Sequence, residues 1–263
     1  MLIVFARAPA IGVGKSRLAR DVGAVEAWRV YRAMREGLLR RLADPRWRLV
    51  VRVTPDGAVR RTGAASAEGA TGWDSLPPRG GKGGDGGARA TMRQKALEAE
   101  QTSGPASSSE LPTGSANTLH PALLTSSEEG EEGDPFFEPQ GPGGLGVRLA
   151  RALRAHGRFG VAVVGTDCPE VTPERVWRAL RAARRAGAAL GPAEDGGFWI
   201  LALAPGRARR LSLDGVRWSS AHAFADTLAA LGGEAAVLET LADVDDGEGL
   251  RAWRRRRSAA RRG

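Results

Sequence analysis

Acidic residues able to hold a cation or move a proton fall in three short stretches of the chain. Asp167 lies in "VVGTDCPE", Glu194 and Asp195 in "GPAEDGGFWILAL", and Asp243 and Asp245 in "LADVDDGEGL". Asp167 leaves a buried apolar run, and ligands in α/β sheets bind at the carboxyl ends of strands. An Asp in that position can hold a divalent cation that bridges phosphate oxygens, or can serve as an ordinary N-cap or turn residue. Asp243 and Asp245 follow the run "EAAVLE" and offer a second acidic site of the same kind. Asp195, ahead of a Gly pair and then Phe198 and Trp199, suits a general base or hydroxyl-binding residue on an acceptor-side loop with an aromatic wall. The same Asp-Gly dipeptide also suits a plain hairpin turn.

Residues 5–19, "FARAPAIGVGKSRLA", contain GVGKS, which looks like the end of an ATP-binding P-loop. The full signature needs a Gly five positions before Gly14, and Pro9 stands there. Proline has no N–H to offer an anion and fixes φ near −65°, so it cannot replace that Gly in a nest of amides. A strand, a loop carrying Gly12 and Gly14, and a helix starting near Lys15 still bring free amides to a sheet edge, with Arg7, Lys15 and Arg17 close by. Phosphate is the natural guest. Cys168 has no His beside it and reads as a small buried residue; His120, His156 and His222 lack metal-ligand spacing.

The elements that must position these residues follow from periodicity. "LIVFAR" and "RLVVRVTP" read as short strands, and the apolar residues from Leu18 to Leu38 recur at helical spacing, with Gly23 able to split them into two helices. "FFEPQGPGGLGVRLARALRAHG" reads as a turn-rich loop entering a helix. "FGVAVVGTD" reads as a central strand covered on both faces. The helix "PERVWRALRAARRAG" starts at Pro173 and stops at Gly187. A hairpin, a helix, the strand "EAAVLE" and a last helix, "DGEGLRAWRRRR", complete the pattern. Strands alternating with helices predict an α/β domain with a Rossmann-like mixed, mostly parallel sheet.

Composition divides the chain. Residues 57–135 are rich in Gly, Ser, Pro and charge, with a lone Trp73 near the start, and read as a disordered low-complexity insertion because they cannot bury enough apolar surface to fold. Residues 1–56 and 136–253 then form one domain, and 254–263 a solvated basic tail. The 263 residues carry 39 Lys plus Arg against 30 Asp plus Glu, a formal charge of +9. That excess suits an anionic small substrate or a nucleic acid, but the densest Arg run is terminal and aromatics are only 5%, which disfavours a specific nucleic-acid partner. A single cysteine fits a reducing compartment. No apolar run reaches the length of a membrane span, and a cytoplasmic enzyme is expected.

Together these stretches resemble the glycosyltransferase-A-like bacterial proteins called radical-SAM/selenodomain-associated transferase 1, some of them named arsenosugar-biosynthesis glycosyltransferases. The likeness runs in order through "FARAPAIGVGKSRLA", "PQGPGGLGVRLARAL", "VVGTDCPEVTP", "LGPAEDGGFWILAL", "VRWSS" and "DVDDGEGL". This chain has Gly144 where the family's G-D-L-G has an acid, and "DVDDGEGL" where the family has D-V-D-T-P-E-D-L. The resemblance implies a nucleotide-diphospho-sugar transferase fold binding a nucleotide sugar or a nucleoside triphosphate, with Arg7, Gly12, Gly14, Lys15 and Arg17 at the phosphates. Of that set, Lys15 and Arg17 follow from the resemblance and Arg7, Gly12 and Gly14 from the loop itself; the resemblance also implies Mg2+ or Mn2+ on Asp167, with Asp245 as second ligand. Two reactions fit: glycosyl transfer to a small-molecule acceptor, assisted by Asp195, or nucleotidyl transfer with release of pyrophosphate, the charge stabilised by Lys15 and Arg17.

Overall fold

The computed structural model of the chain describes residues 1–61, 124–126, 135–260 and 262. Its frame is a seven-stranded sheet of β1 (Leu2–Arg7), β2 (Leu49–Thr54), β5 (Phe136–Pro139), β6 (Val161–Val164), β7 (Ala188–Pro192), β8 (Phe198–Leu203) and β9 (Ala235–Val237) in the order β5-β2-β1-β6-β8-β7-β9. Parallel pairs join β1 to β2 and β6, β2 to β5 and β7 to β9, while β8 runs antiparallel between β6 and β7. The expected mixed, mostly parallel α/β sheet is therefore present.

Alternation along each strand builds two cores. Leu2 and Val4 face one side with Val51, Val53 and Val164, where they meet Leu38 and Leu42 of α2 (Ala24–Leu42) and Val176, Ala179 and Ala183 of α4 (Pro173–Ala186). Ile3, Val163, Leu201 and Leu203 face the other side and pack on Leu149 and Leu153 of α3 (Leu145–His156) and on Phe224 and Leu228 of α5 (Ala223–Ala230). A strand covered on both faces must be apolar throughout, which is why β6 reads VAVV with all four residues buried. A third cluster ties Leu18 of α1 (Ser16–Val22) and Val30 and Met34 of α2 to Val244 and Leu250, anchoring the start of α6 (Gly247–Ala260).

Local signals set the helix ends. Gly23 at φ 84° breaks α1 from α2. Thr172 accepts the N–H of Arg175 at 3.3 Å ahead of Pro173, and Gly187 at φ 85° closes α4. Three expectations change. "FFEP" is an edge strand, not a turn-rich loop; it pairs on one side only, and Pro139 ends it where a missing N–H costs little. Within the span expected as a disordered insertion, β3 (Val59–Arg61) and β4 (Leu124–Ser126) form a two-stranded parallel sheet, and the folded frame extends past residue 57 to 61. The rest of that span, Trp73 included, lies outside the described residues. The basic tail is helical as far as Ala260, since Arg and Ala are strong helix formers; residues 254–259 are exposed, as a solvated tail requires. No helix among the described residues is long and apolar enough to cross a membrane.

Candidate functional site

From β1 the chain builds outward to β2 and β5, then returns to place β6 on the other side of β1. Connections leaving β1 and β6 therefore diverge, and the carboxyl ends of these two strands flank a crevice. Two adjoining cavities of about 530 and 570 Å³ open there and share Phe5, Arg17, Leu145, Asp167, Ser219 and Asp245. Their charges differ. Arg7, Lys15, Arg17 and Arg148 line the second cavity, whereas Asp195 and Asp243 line only the first.

The basic half grows from the turn after β1. Val13 donates to the Ala10 carbonyl at 3.2 Å, and Gly12 and Gly14 adopt φ of 78° and 77°. A Cβ on Gly14 would stand 3.2 Å from Arg7 Cδ, so glycine lets Arg7 lie across the loop. Lys15 follows at φ 49°. Lys15 and Ser219 are the non-glycine residues at positive φ among the described residues, and both line the cleft; such strained backbone concentrates at functional sites. The Lys15 ammonium donates to Asp167 Oδ1 at 2.6 Å, Asp245 Oδ1 at 2.5 Å and the Val244 carbonyl at 2.8 Å. Burial works against this charge, but Asp167 and Asp245 outweigh it and raise the ammonium's pKa. Thus the structure brings the expected phosphate lysine and both expected metal aspartates together, with the lysine between the two acids.

In the acidic half, the segment after β9 is strapped to the sheet. Leu241 donates to Pro192 and Glu194 to Leu241, at 3.0 and 3.1 Å, and Val244 donates to the Asp167 carbonyl at 3.0 Å. These bonds carry Asp243 and Asp245 to the hairpin that joins β7 to β8, where carboxylate oxygens of Asp195, Asp243 and Asp245 lie within 4.8 Å of one another. Gly196, at φ 83°, is pressed so closely on Ala221 that a Cβ would meet its Cα at 2.5 Å, and Asp195 Oδ1 accepts the Gly197 N–H at 2.8 Å. Burial, then the neighbouring charges of Asp195 and Asp245, push Asp243 up to about 6. Three hard carboxylate oxygens in mutual repulsion suit a small divalent cation such as Mg2+ or Mn2+. Asp167, expected beside Asp245 as a ligand, is not one of these three; it meets Asp245 across the Lys15 ammonium that both acids hold. Cys168 is buried, and burial and then Asp167 push its thiol well up, which disfavours the thiolate a nucleophile needs.

Sequence reading missed several lining residues. Buried Gln140 donates to the carbonyls of Ala6 and Arg52 at 3.0 and 3.1 Å, and its Oε1 accepts from Arg148 at 2.8 Å, aligning that guanidinium with the basic cavity. Trp218 meets Phe198 edge-on, with centroids 6.2 Å apart, and lies over Gly146, where a Cβ would come within 2.8 Å of its Nε1. Phe198 and Trp199 both line the first cavity, and the buried Trp199 indole donates to the Glu239 carbonyl at 2.9 Å. Gly146 and Arg148 sit in "GGLGVRLARAL", whose glycines were the available signal. Trp218 lies in "VRWSS", a stretch marked by the family resemblance but given no role there.

This sheet, with its crevice at the strand-order reversal, is a Rossmann-like mixed, mostly parallel α/β fold. A crystal structure of a protein from Desulfovibrio desulfuricans G20, provisionally assigned as a nucleotide-diphospho-sugar transferase, superposes with a TM-score of 0.58 at 22% identity, over 93% of this chain and 81% of that one. Residues 119–220 match the family model "Uncharacterized protein conserved in bacteria (DUF2064)". No curated protein matches the chain.

Proposed function

We propose that the chain is a metal-dependent transferase that moves a sugar from a nucleotide-activated donor to a small acceptor. The division of one cleft, at the switch point of the sheet, into a basic and an acidic half carries this reading. A nucleotide sugar needs cations along its diphosphate and a divalent ion where the leaving charge develops. Arg7, Arg17 and Arg148 take the diphosphate, with the amides of the Gly12–Gly14 loop beneath it, and Lys15 joins them once donor binds. Asp243 and Asp245 hold Mg2+ or Mn2+, which when bound neutralises the departing diphosphate. Asp195, third in the acidic group and next in the chain to the aromatic wall, binds the acceptor hydroxyl and takes its proton as the new C–O bond forms and the sugar–phosphate bond breaks. Asp167 orients Lys15.

Nucleotidyl transfer is the second reading. Four cations in the basic half exceed what a diphosphate needs and suit a triphosphate. In that case a substrate phosphate attacks the α-phosphorus and pyrophosphate leaves. Incubation with a panel of nucleotide sugars and nucleoside triphosphates, with Mg2+ or Mn2+, separates the two by product: nucleoside diphosphate or pyrophosphate. If no nucleotide raises the melting temperature, or Asp245→Ala turns over like the wild type, both readings fall.

A further inference from the structure

The Lys15 ammonium sits where three oxygens converge: Asp167 Oδ1 at 2.6 Å, Asp245 Oδ1 at 2.5 Å and the Val244 carbonyl at 2.8 Å. All three of its donors are used, and Asp245 is shared with the three-acid group. An all-oxygen nest with two carboxylates is the kind of site a divalent cation takes. The backbone aims Lys15 at this nest from a left-handed conformation that L-residues seldom adopt. Arg17, two residues on, lines the same cleft with an exposed side chain and no carboxylate partner among the described residues.

We propose that Lys15 is a built-in stand-in cation. In the free protein it neutralises Asp167 and Asp245 and weakens metal loading; when an anionic donor occupies the basic half, the ammonium swings to the phosphates and releases Asp245 to the metal. Metal and donor then bind with positive coupling, each strengthening the other by the same factor. This inference rests on the proposed metal-dependent reading and adds an order to it: the protein alone is a poor metal binder.

The test is a Mn2+ titration of the full chain without nucleotide, read by the loss of the free-ion electron paramagnetic resonance signal. Lys15→Met should bind Mn2+ at least about tenfold more tightly than the wild type, a change of about 1.4 kcal/mol. Arg17→Met, which removes the same charge without touching the acids, should change affinity less than about threefold. Equal gains in the two variants would overturn the proposal, because the effect would then be the general field of the cleft. An unchanged Lys15→Met beside a wild type that binds Mn2+ would also overturn it and leave the metal-dependent reading standing. No Mn2+ binding by any form would overturn both. A second measurement needs no variant: acetylation of Lys15 in the wild type, followed by mass spectrometry with Lys82 and Lys95 as internal references, should speed up several-fold when Mn2+ saturates the protein, and an unchanged rate contradicts displacement.

Discussion

Asp167→Asn and Asp245→Asn, made singly and together, ask whether both carboxylates hold Lys15. At separations of 2.6 and 2.5 Å, Coulomb's law gives each pair about 1.6 kcal/mol in bulk water and about 6 kcal/mol at an effective dielectric of 20. Exposure decides between these limits: the Asp167 side chain is 52% exposed and that of Asp245 33%, against 10% for Lys15. Water screens the acids, so Asp167→Asn should cost only about 1 kcal/mol. Asp245→Asn should cost less, because losing that charge also relieves the repulsion it exerts on Asp243. In the double variant the ammonium keeps only neutral acceptors, the Val244 carbonyl and the two amide oxygens, with no carboxylate to balance it, and the penalty for an unpaired, desolvated charge emerges as a total of about 3 kcal/mol. Urea unfolding followed by tryptophan fluorescence, with a common m-value, should therefore show a coupling of about 1 kcal/mol or more beyond the sum of the singles. Adding Lys15→Met to the double variant should recover stability, since no charge is then left to bury. Strictly additive singles, or a double variant within about 0.5 kcal/mol of wild type, would refute the shared clamp.

Asp243 sets a pH dependence. Its folded value of about 6 lies above the ordinary 3.8, so the folded state binds this proton more tightly, and metal-free melting temperature should rise as pH falls from about 7 through 6. The gain ends near 4, where Asp243 is protonated in the unfolded chain as well, and Asp243→Asn should flatten it. Gly196→Ala should lower stability by about 3 kcal/mol, since its Cβ would strike Ala221 backbone from a positive φ, whereas Gly206→Ala, at φ 77° in open space, should cost only about 1 kcal/mol; thermal melts separate them. Trp218→Ala removes the partner of Phe198 across the acidic cavity and should raise the acceptor KM about tenfold, with a smaller change in kcat, in steady-state kinetics.

The order of elements was legible because each strand and helix carries its own period and stop signals: Gly23, Pro173 and Gly187 end or begin helices through backbone terms that act within a few residues. The crevice was legible for the same reason, since a parallel sheet sends its strand-end loops to one edge whatever their sequence. Edge strand β5 escaped because its four residues have no alternation to display, and their pairing with β2 is decided by a partner more than eighty positions away in the chain. Asp243 was visible as a residue but not as a member of a trio, because straps from Leu241 and Val244 to Pro192 and Asp167 decide where it stands.

The charge pattern inside the site is the part that local reading cannot reach. Lys15 and Asp245 are separated by 230 positions, and phosphate chemistry alone would point the ammonium toward a donor. Its left-handed backbone and the Val244 carbonyl turn it instead toward the acids, so the ammonium is held by Asp167 and Asp245, the two residues expected from the sequence to hold a metal. A cleft carrying four carboxylates, those of Asp167, Asp195, Asp243 and Asp245, would otherwise repel the diphosphate that the proposed reaction requires. Holding one ammonium among them, with Arg7, Arg17 and Arg148 arranged opposite, lowers the negative charge that an anion would meet, and if the anion drew the lysine away, as proposed, the remaining repulsion would favour a divalent cation.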